Sequence, residues 1–305
     1  MQHATTLARP ADVMGASKDD IAMMSFLVRY KEPTRSGYAL ALKHWFRWCR
    51  EKGITPLTAT RPYLEVWCRE MDEHLGLKAS TINGKLNAVS GFYKFAKIDG
   101  YIVDNPCDHL NRPKVPSQST TQGLTRSELL HCLDTAAKTD PQDYALWCFL
   151  GLNGVRISEA CGLDAEILDW SNGYRTVKVT RAKTAGRVDE LPLCPRTSRA
   201  FDLHLGTRTT GPVFMKPRKE ERLDQKSANR IVHRIAREAG IEKRVTPHSL
   251  RHTFTTLALN AGVPLRDIAN SRGDTDLRQI SYYDRDKGNL SRNATHMVAA
   301  FVDGS

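Results

Sequence analysis

The chain contains no apolar run long enough to cross a bilayer and no strongly basic amphipathic end. An anionic membrane is therefore a poor match for its charge. It also lacks a CxxC pair: Cys49, Cys68, Cys107, Cys132, Cys148, Cys161 and Cys194 are scattered. An odd, dispersed set of thiols argues against a disulfide framework and a zinc site, and predicts a reducing cytoplasm. The N-terminal stretch MQHATTLARPADVMG has no apolar signal region, which speaks against secretion. Carboxylates do not cluster in the manner of a Mg²⁺ site, so no metal and no cofactor are expected.

Cationic charge is abundant. In 305 residues, 45 Lys and Arg stand against 34 Asp and Glu, a formal net charge of +11. That surplus predicts an anionic partner, and nucleic acid comes first because many phosphate contacts need many cations. The length suits two ordinary domains.

Residues 1–16 are small and polar without a period and read as a loose tail. Four amphipathic helices follow. The first starts at Ser17, with Asp19 and Asp20 in its first turn. The second, about Thr34–Lys52, has Tyr38, Leu42, Trp45, Phe46 and Cys49 on one stripe and stops at Gly53. The third runs from Thr60 to Leu75, with Leu64, Trp67, Cys68, Met71 and Leu75 inward. The fourth opens at Ser80 and carries Ile82, Leu86, Val89, Phe92 and Tyr93. Short links make this an all-α bundle, and helical spacing assigns the aromatic stripes to a core rather than to base stacking. Its polar faces carry Lys43, Arg47, Arg50, Lys78, Lys85 and Lys94, a phosphate-facing surface or simply a solvated one.

Asn105-Pro106 ends the bundle. The Pro/Ser/Thr-rich stretch from Arg112 to Thr121, with the basic residues Arg112 and Lys114, reads as an interdomain linker, with the boundary near Ser117. The second domain, 117–305, opens on Thr125-Arg-Ser-Glu128, a capping box, with Leu129, Leu130 and Leu133 inward. A helix from Asp140-Pro141 through Leu152 leads to G-L-N-G-V-R-I-S-E. There Arg156 follows a Gly-containing turn and Glu159 lies one helical turn on, either pinning Arg156 into a cleft or forming an ordinary surface pair. Tyr174–Thr180 and Glu190–Leu193 are predicted antiparallel strands flanking Arg181-Ala-Lys183-Thr-Ala-Gly186-Arg187, a basic turn. Gln225–Ala239 is a helix with Ile231, Val232 and Ile235 inward, and Ser291–Phe301 is a short amphipathic helix. The fold expected is mainly α with a small antiparallel sheet.

The most informative stretch is Thr246–Tyr283. Thr246-Pro247 is a strong helix start, a hydroxyl cap followed by a proline whose missing N–H costs nothing there. His248 and Arg251 stand three apart and so project from one face. A proton-transfer group beside a fixed cation suits an anionic reaction centre, and a downstream Tyr is a candidate nucleophile.

Arg156 in G-V-R-I-S-E, Lys183 in R-A-K-T-A-G, His248-Ser-Leu-Arg251-His252 and Tyr283, in that order, resemble the tyrosine recombinase (phage integrase) family. The likeness extends to the helical first half, which is similar to the family's SAM-like core-binding domain, and so covers about Ser17 to the C-terminus. The closing Y-D-R…L-S-R-N-A-T-H-M-V-A-A-F looks most like integrases of actinobacteria and their phages.

The resemblance implies a site-specific recombinase. Arg156 and Arg251 would clamp the scissile phosphate and Tyr283 would attack it to leave a 3′-phosphotyrosyl link. Lys183 would protonate the departing 5′ oxygen, His248 would handle the tyrosine's proton and Glu159 would hold Arg156. Lys43, Arg47, Lys85, Arg112, Lys114 and Arg181 are the cations assigned to DNA. Implied partners are double-stranded DNA at attachment or core sites, a homotetramer on two duplexes and a directionality factor, in the cytoplasm of a bacterial host.

One residue departs from the family pattern. Where relatives have L-G-H-x-D, this chain reads Ser271-Arg-Gly-Asp274-Thr-Asp276, placing Asp274 at a catalytic histidine's position. An ionised carboxylate repels phosphate, so Asp274 is expected to pair with Arg272 or to orient the tyrosine segment. The chain begins directly at the bundle, which suggests a simpler recombinase using short core sites. Rival readings are a type IB topoisomerase, which shares the residue set, and a DNA-binding regulator with weakened catalysis.

Overall fold

The computed structural model describes residues 17–115, 123–181, 186–217, 219–276 and 302. The chain divides into two compact units between residues 116 and 117. The expected tail at 1–16, the linker beyond 115 and the Ser291–Phe301 helix lie outside the described residues.

The first unit is built from helices Lys18–Leu27, Thr34–Glu51, Arg61–Arg69 and Ala79–Ile98, the third extended by a π turn over Glu70–His74. Ser17 caps the first helix by accepting from Asp20 N at 3.1 Å. The apolar stripes converge on one core in which Trp45, Trp67, Leu86 and Phe92 are completely buried. Each such side chain contributes about 1.5–3 kcal/mol by leaving water. Inside that core Trp45 Nε1 donates to Tyr93 Oη at 2.9 Å, and Tyr93 Oη donates to Pro56 O at 2.7 Å, while the buried Trp67 Nε1 has no hydrogen-bond partner among the described residues. Leu75, expected inward, is 57% exposed, because the π turn rotates the last residues off the stripe.

In the second unit the helix Pro141–Asn153 is central, with every residue from Ala145 to Gly151 buried. Around it pack the helices Arg126–Thr139, Pro195–Leu205, Gln225–Glu238 and Pro247–Asn260. The Thr125–Glu128 capping box forms, Thr125 N donating to Glu128 Oε2 at 2.6 Å and Glu128 N to Thr125 Oγ1 at 3.2 Å. Leu129 and Leu133 face the core, but Leu130 lies one position off the stripe and is exposed.

The sheet has three antiparallel strands, β1 (Leu168–Ser171), β2 (Tyr174–Thr180) and β3 (Val188–Pro192), in the order β1-β2-β3. Asn172-Gly173 closes the first hairpin with φ of 50° and 81°, as a two-residue turn between right-twisted strands requires. Strand β1 and the helices Pro195–Leu205 and Leu265–Arg272 were not expected from the sequence. All three carry short, mostly polar segments whose place is set by neighbours rather than by their own period.

Candidate active site

Arg156 is presented by backbone geometry. Helix Pro141–Asn153 ends at Gly154 with φ 61°, and a Cβ there would sit 2.3 Å from the Phe254 ring. Only glycine fits, so the chain turns sharply and starts the short helix Ile157–Cys161 with Arg156 at its cap. Glu159 then fixes Arg156 twice: Oε2 accepts from the backbone N and Oε1 from Nη1, each at 2.9 Å. Glu159 has no exposed side-chain surface, so this is not a solvated surface pair.

Arg251 comes from the Pro247–Asn260 helix, which Thr246 caps by accepting from Ser249 N at 3.1 Å. Its side chain points inward and is buried. Nη1 donates to Gly154 O at 2.6 Å, so the turn that aims Arg156 also anchors Arg251. Burial pushes the Arg251 guanidinium down to about 10; Arg272 and Arg156 push the same way, while Asp274 and Glu159 oppose them. His248 lies exposed in the first turn of that helix, so it and Arg251 differ in burial.

The two arginines meet on Asp274. Arg156 Nη2 and Arg251 Nη2 each lie 2.6 Å from Asp274 Oδ1, and Arg272 Nε lies 2.8 Å from Oδ2. The expected Arg272–Asp274 pair is thus present. The same carboxylate also bridges both clamp arginines, a contact that no local sequence pattern announces.

Arg181 requires a correction. Assigned to DNA, it is instead wholly buried. Nη1 donates to Glu159 Oε2 at 3.1 Å, Nε to Asp189 Oδ2 at 2.7 Å, and Nη2 to Ser271 O at 2.9 Å. The C-terminal carbonyls of helix Leu265–Arg272 form a negative pole, and Arg181 packs onto it. A guanidinium so enclosed cannot touch phosphate. It holds the Arg156–Glu159 pair from behind.

Lys183 and Tyr283 lie outside the described residues. The site as seen is therefore an arginine-rich cradle: the guanidinium groups of Arg156, Arg181, Arg251 and Arg272 gather around Glu159 and Asp274. Residues 122–289, more than half of the chain, match the phage integrase family, and residues 27–100 match the phage integrase N-terminal SAM-like domain.

The chain belongs to the phage integrase family, the tyrosine recombinases.

Relatives include the tyrosine recombinase XerD of Chlorobaculum tepidum, 28% identical over 82% of this chain and 84% of that protein. XerD of Mycobacterium tuberculosis is 29% identical over 82% of this chain and 86% of its own length. Among solved structures, the Tn1549 transposon integrase in complex with transposon right end DNA covers 93% of this chain and 100% of its own at TM-score 0.72 and 20% identity. The lambda integrase tetramer bound to a Holliday junction covers 88% of this chain and 76% of its own at TM-score 0.71 and 18% identity. These likenesses fix the fold.

Outside the cradle, each unit carries a group of cations lining a hollow. In the first unit, Lys43, His44, Arg47, Arg50 and Lys85 line an open hollow beside Asp20. Burial lowers the Lys85 ammonium and Arg47 lowers it further; His44 is lowered by burial, then by Lys85 and Arg47. These groups disfavour one another's charge, and an anion would relieve them. Arg112 and Lys114 are exposed, although Arg112 Nη1 also donates to Asn87 Oδ1 at 2.6 Å.

In the second unit, Arg230, His233 and Arg237 share one face of helix Gln225–Glu238 and line a hollow with Arg244. This face was not among the cations expected to meet DNA. Its signal was present as cations spaced three and four apart, opposite the apolar stripe of Ala228, Ile231, Val232 and Ile235.

Proposed function

We propose that this tyrosine recombinase cleaves and rejoins DNA at a specific site through a covalent phosphotyrosine. The observation that carries the reading is the convergence of Arg156 and Arg251, whose terminal nitrogens both lie 2.6 Å from one oxygen position. Two planar, permanently charged forks meeting at a point suit a phosphodiester whose non-bridging oxygens gain charge during displacement.

In this mechanism the Tyr283 hydroxyl attacks phosphorus, forming the O–P bond as the bond to the 5′ oxygen breaks. His248 takes the tyrosine's proton and Lys183 supplies one to the departing oxygen, leaving a free 5′-hydroxyl and a 3′-phosphotyrosine. Rejoining reverses these steps. Glu159 and Arg181 keep Arg156 aimed. No step requires a metal, because guanidinium groups supply the positive charge.

The two basic faces, together with Arg112 and Lys114, would hold duplex DNA. Strand exchange between two duplexes calls for four such sites, so the working assembly is a homotetramer at attachment or core sites. Phage or mobile-element integration and excision in the cytoplasm of a bacterial host is the setting this suits, with a directionality factor choosing between them. No helix among the described residues is long and apolar enough to cross a membrane.

A nicked duplex carrying the attachment site tests the reading, because loss of the short fragment past the nick traps the adduct. The parent should form a covalent protein–DNA species and Tyr283→Phe should bind without forming it. Adduct formation by Tyr283→Phe, with its loss in Tyr282→Phe, would move the nucleophile to the neighbouring residue.

A further inference from the structure

Arg251 has little left to offer a phosphate. A guanidinium has five N–H groups. Nη1 donates to Gly154 O at 2.6 Å and Arg272 O at 3.1 Å, and Nη2 to Arg272 O at 3.1 Å and Asp274 Oδ1 at 2.6 Å. Among the described residues, those four bonds leave only Nε. The side chain is 6% exposed, so a phosphate could not simply lie beside the existing contacts.

Gly154 O and Arg272 O are backbone atoms held in place by the ends of two helices. Among the described residues, the Asp274 carboxylate is the one acceptor on Arg251 that a side-chain movement can withdraw. It is also shared with Arg156 Nη2 at 2.6 Å, so its departure frees one N–H on each fork at the same spot. Carboxylate and phosphodiester are both anions with two equivalent oxygens, and both suit planar Arg donors. The carboxylate sits just past the end of helix Leu265–Arg272, beyond the left-handed Gly273, with its backbone N bonded to Ala269 O at 3.0 Å.

We propose that Asp274 is the resident occupant of the phosphate seat, and that the scissile phosphate binds by replacing its carboxylate between Arg156 and Arg251. The proposal rests on the recombinase reading above for the identity of the phosphate. On this view the cradle is closed to stray anions. It opens where the basic faces of the protein engage enough duplex to offset withdrawal of the carboxylate. Asp274 gates the clamp, whereas the histidine usual in relatives would be a donor alongside it. Arg272, whose Nη1 donates to Thr255 Oγ1 at 2.5 Å, remains as a third cation near the seat.

The test uses the full-length chain and inorganic phosphate, titrated calorimetrically at constant ionic strength. An affinity reduced by a competing closed state is recovered when that state is removed. Asp274→Ala should therefore bind phosphate about tenfold or more tightly than the parent. The gain should vanish when Arg251→Gln is added. Asp274→Asn keeps the shape and replaces Asp274→Ala if the latter does not fold, as judged by circular dichroism.

A folded Asp274→Ala or Asp274→Asn protein binding phosphate no better than the parent would overturn the gate, as would a gain that survives Arg251→Gln. The nicked-duplex adduct separates the two ideas. A parent that forms adduct while phosphate affinity is unmoved by substitution keeps the recombinase reading and loses the gate. A parent that forms none, with affinity gained on substitution, does the reverse.

Discussion

Arg181 Nη1 and Glu159 Oε2 meet at 3.1 Å, and neither side chain has any exposed surface. Breaking a buried pair by removing one partner strands the other charge and costs about 3–5 kcal/mol. Arg181→Met is expected to lose that much in urea denaturation of the full chain. Arg181→Lys keeps the charge but not the planar fork, so it should fold while cleaving more slowly at unchanged DNA affinity. Parent-like stability in Arg181→Met would show that this contact holds nothing together.

Arg181 also marks where the sequence stopped being legible. The Thr125–Glu128 capping box, the Thr246-Pro247 helix start and the stripe from Ile82 to Tyr93 are local signals, and each can be read within one or two helical turns. The positions of Arg156 and Arg251 followed from motif order. Burial of Arg181 did not, because its partners lie 8 to 91 residues away and a cation in a turn looks solvated from its neighbours alone. Asp274 posed the same problem: its pairing with Arg272 was visible across two positions, its bridging of Arg156 and Arg251 was not. Asn172-Gly173 is a hairpin signal in the sequence, but β1 has too few apolar residues to announce the strand before it.

Gly273 has φ 67°, and a Cβ on it would fall 2.5 Å from Arg181 Nε. Gly240, with φ 68°, has nothing within 4 Å of the same position. Gly240→Ala should therefore show only the left-handed backbone penalty, about 1–2 kcal/mol. Gly273→Ala should cost clearly more and also slow cleavage, because Arg181 must move. Equal denaturation midpoints for the two variants would show that Arg181 yields freely.

Covalent adduct formation is expected to persist in excess EDTA. The charge stabilisation that Mg²⁺ supplies elsewhere is here assigned to Arg156 and Arg251. Adduct lost in EDTA and restored by Mg²⁺, with DNA binding unchanged throughout, would refute that assignment.

His204 gives the second unit a pH dependence. Its Nε2 is 2.7 Å from Val213 O, and burial pushes the imidazole below its ordinary range, with Arg208 adding to the fall and the Val213 carbonyl opposing it. Unfolding releases the ring to protonate, so below about pH 6.5 the unfolded chain binds more protons than the folded one. Stability should fall as pH drops through that region. His204→Asn should flatten the fall; an unchanged profile would assign it to other groups.

The final prediction concerns how the basic faces engage DNA. Each phosphate contact that releases a counterion adds about 0.9 to the slope of log K against log salt. Lys85 and Arg47 share a hollow in which their charges disfavour one another, and Arg230 and Arg237 share a helix face. None of these needs to read a base in order to bind. Lys85→Gln, Arg47→Gln and Arg237→Gln should each weaken binding across sequences and lower the salt slope by about one. Glu159→Gln, which touches only the cradle, should leave the slope unchanged while reducing cleavage. That contrast separates residues that grip the duplex from residues that arrange the chemistry. If Glu159→Gln lowers the slope as much as Arg237→Gln does, the cradle is part of the general grip. If the three surface substitutions leave the slope untouched, the duplex is held by another face.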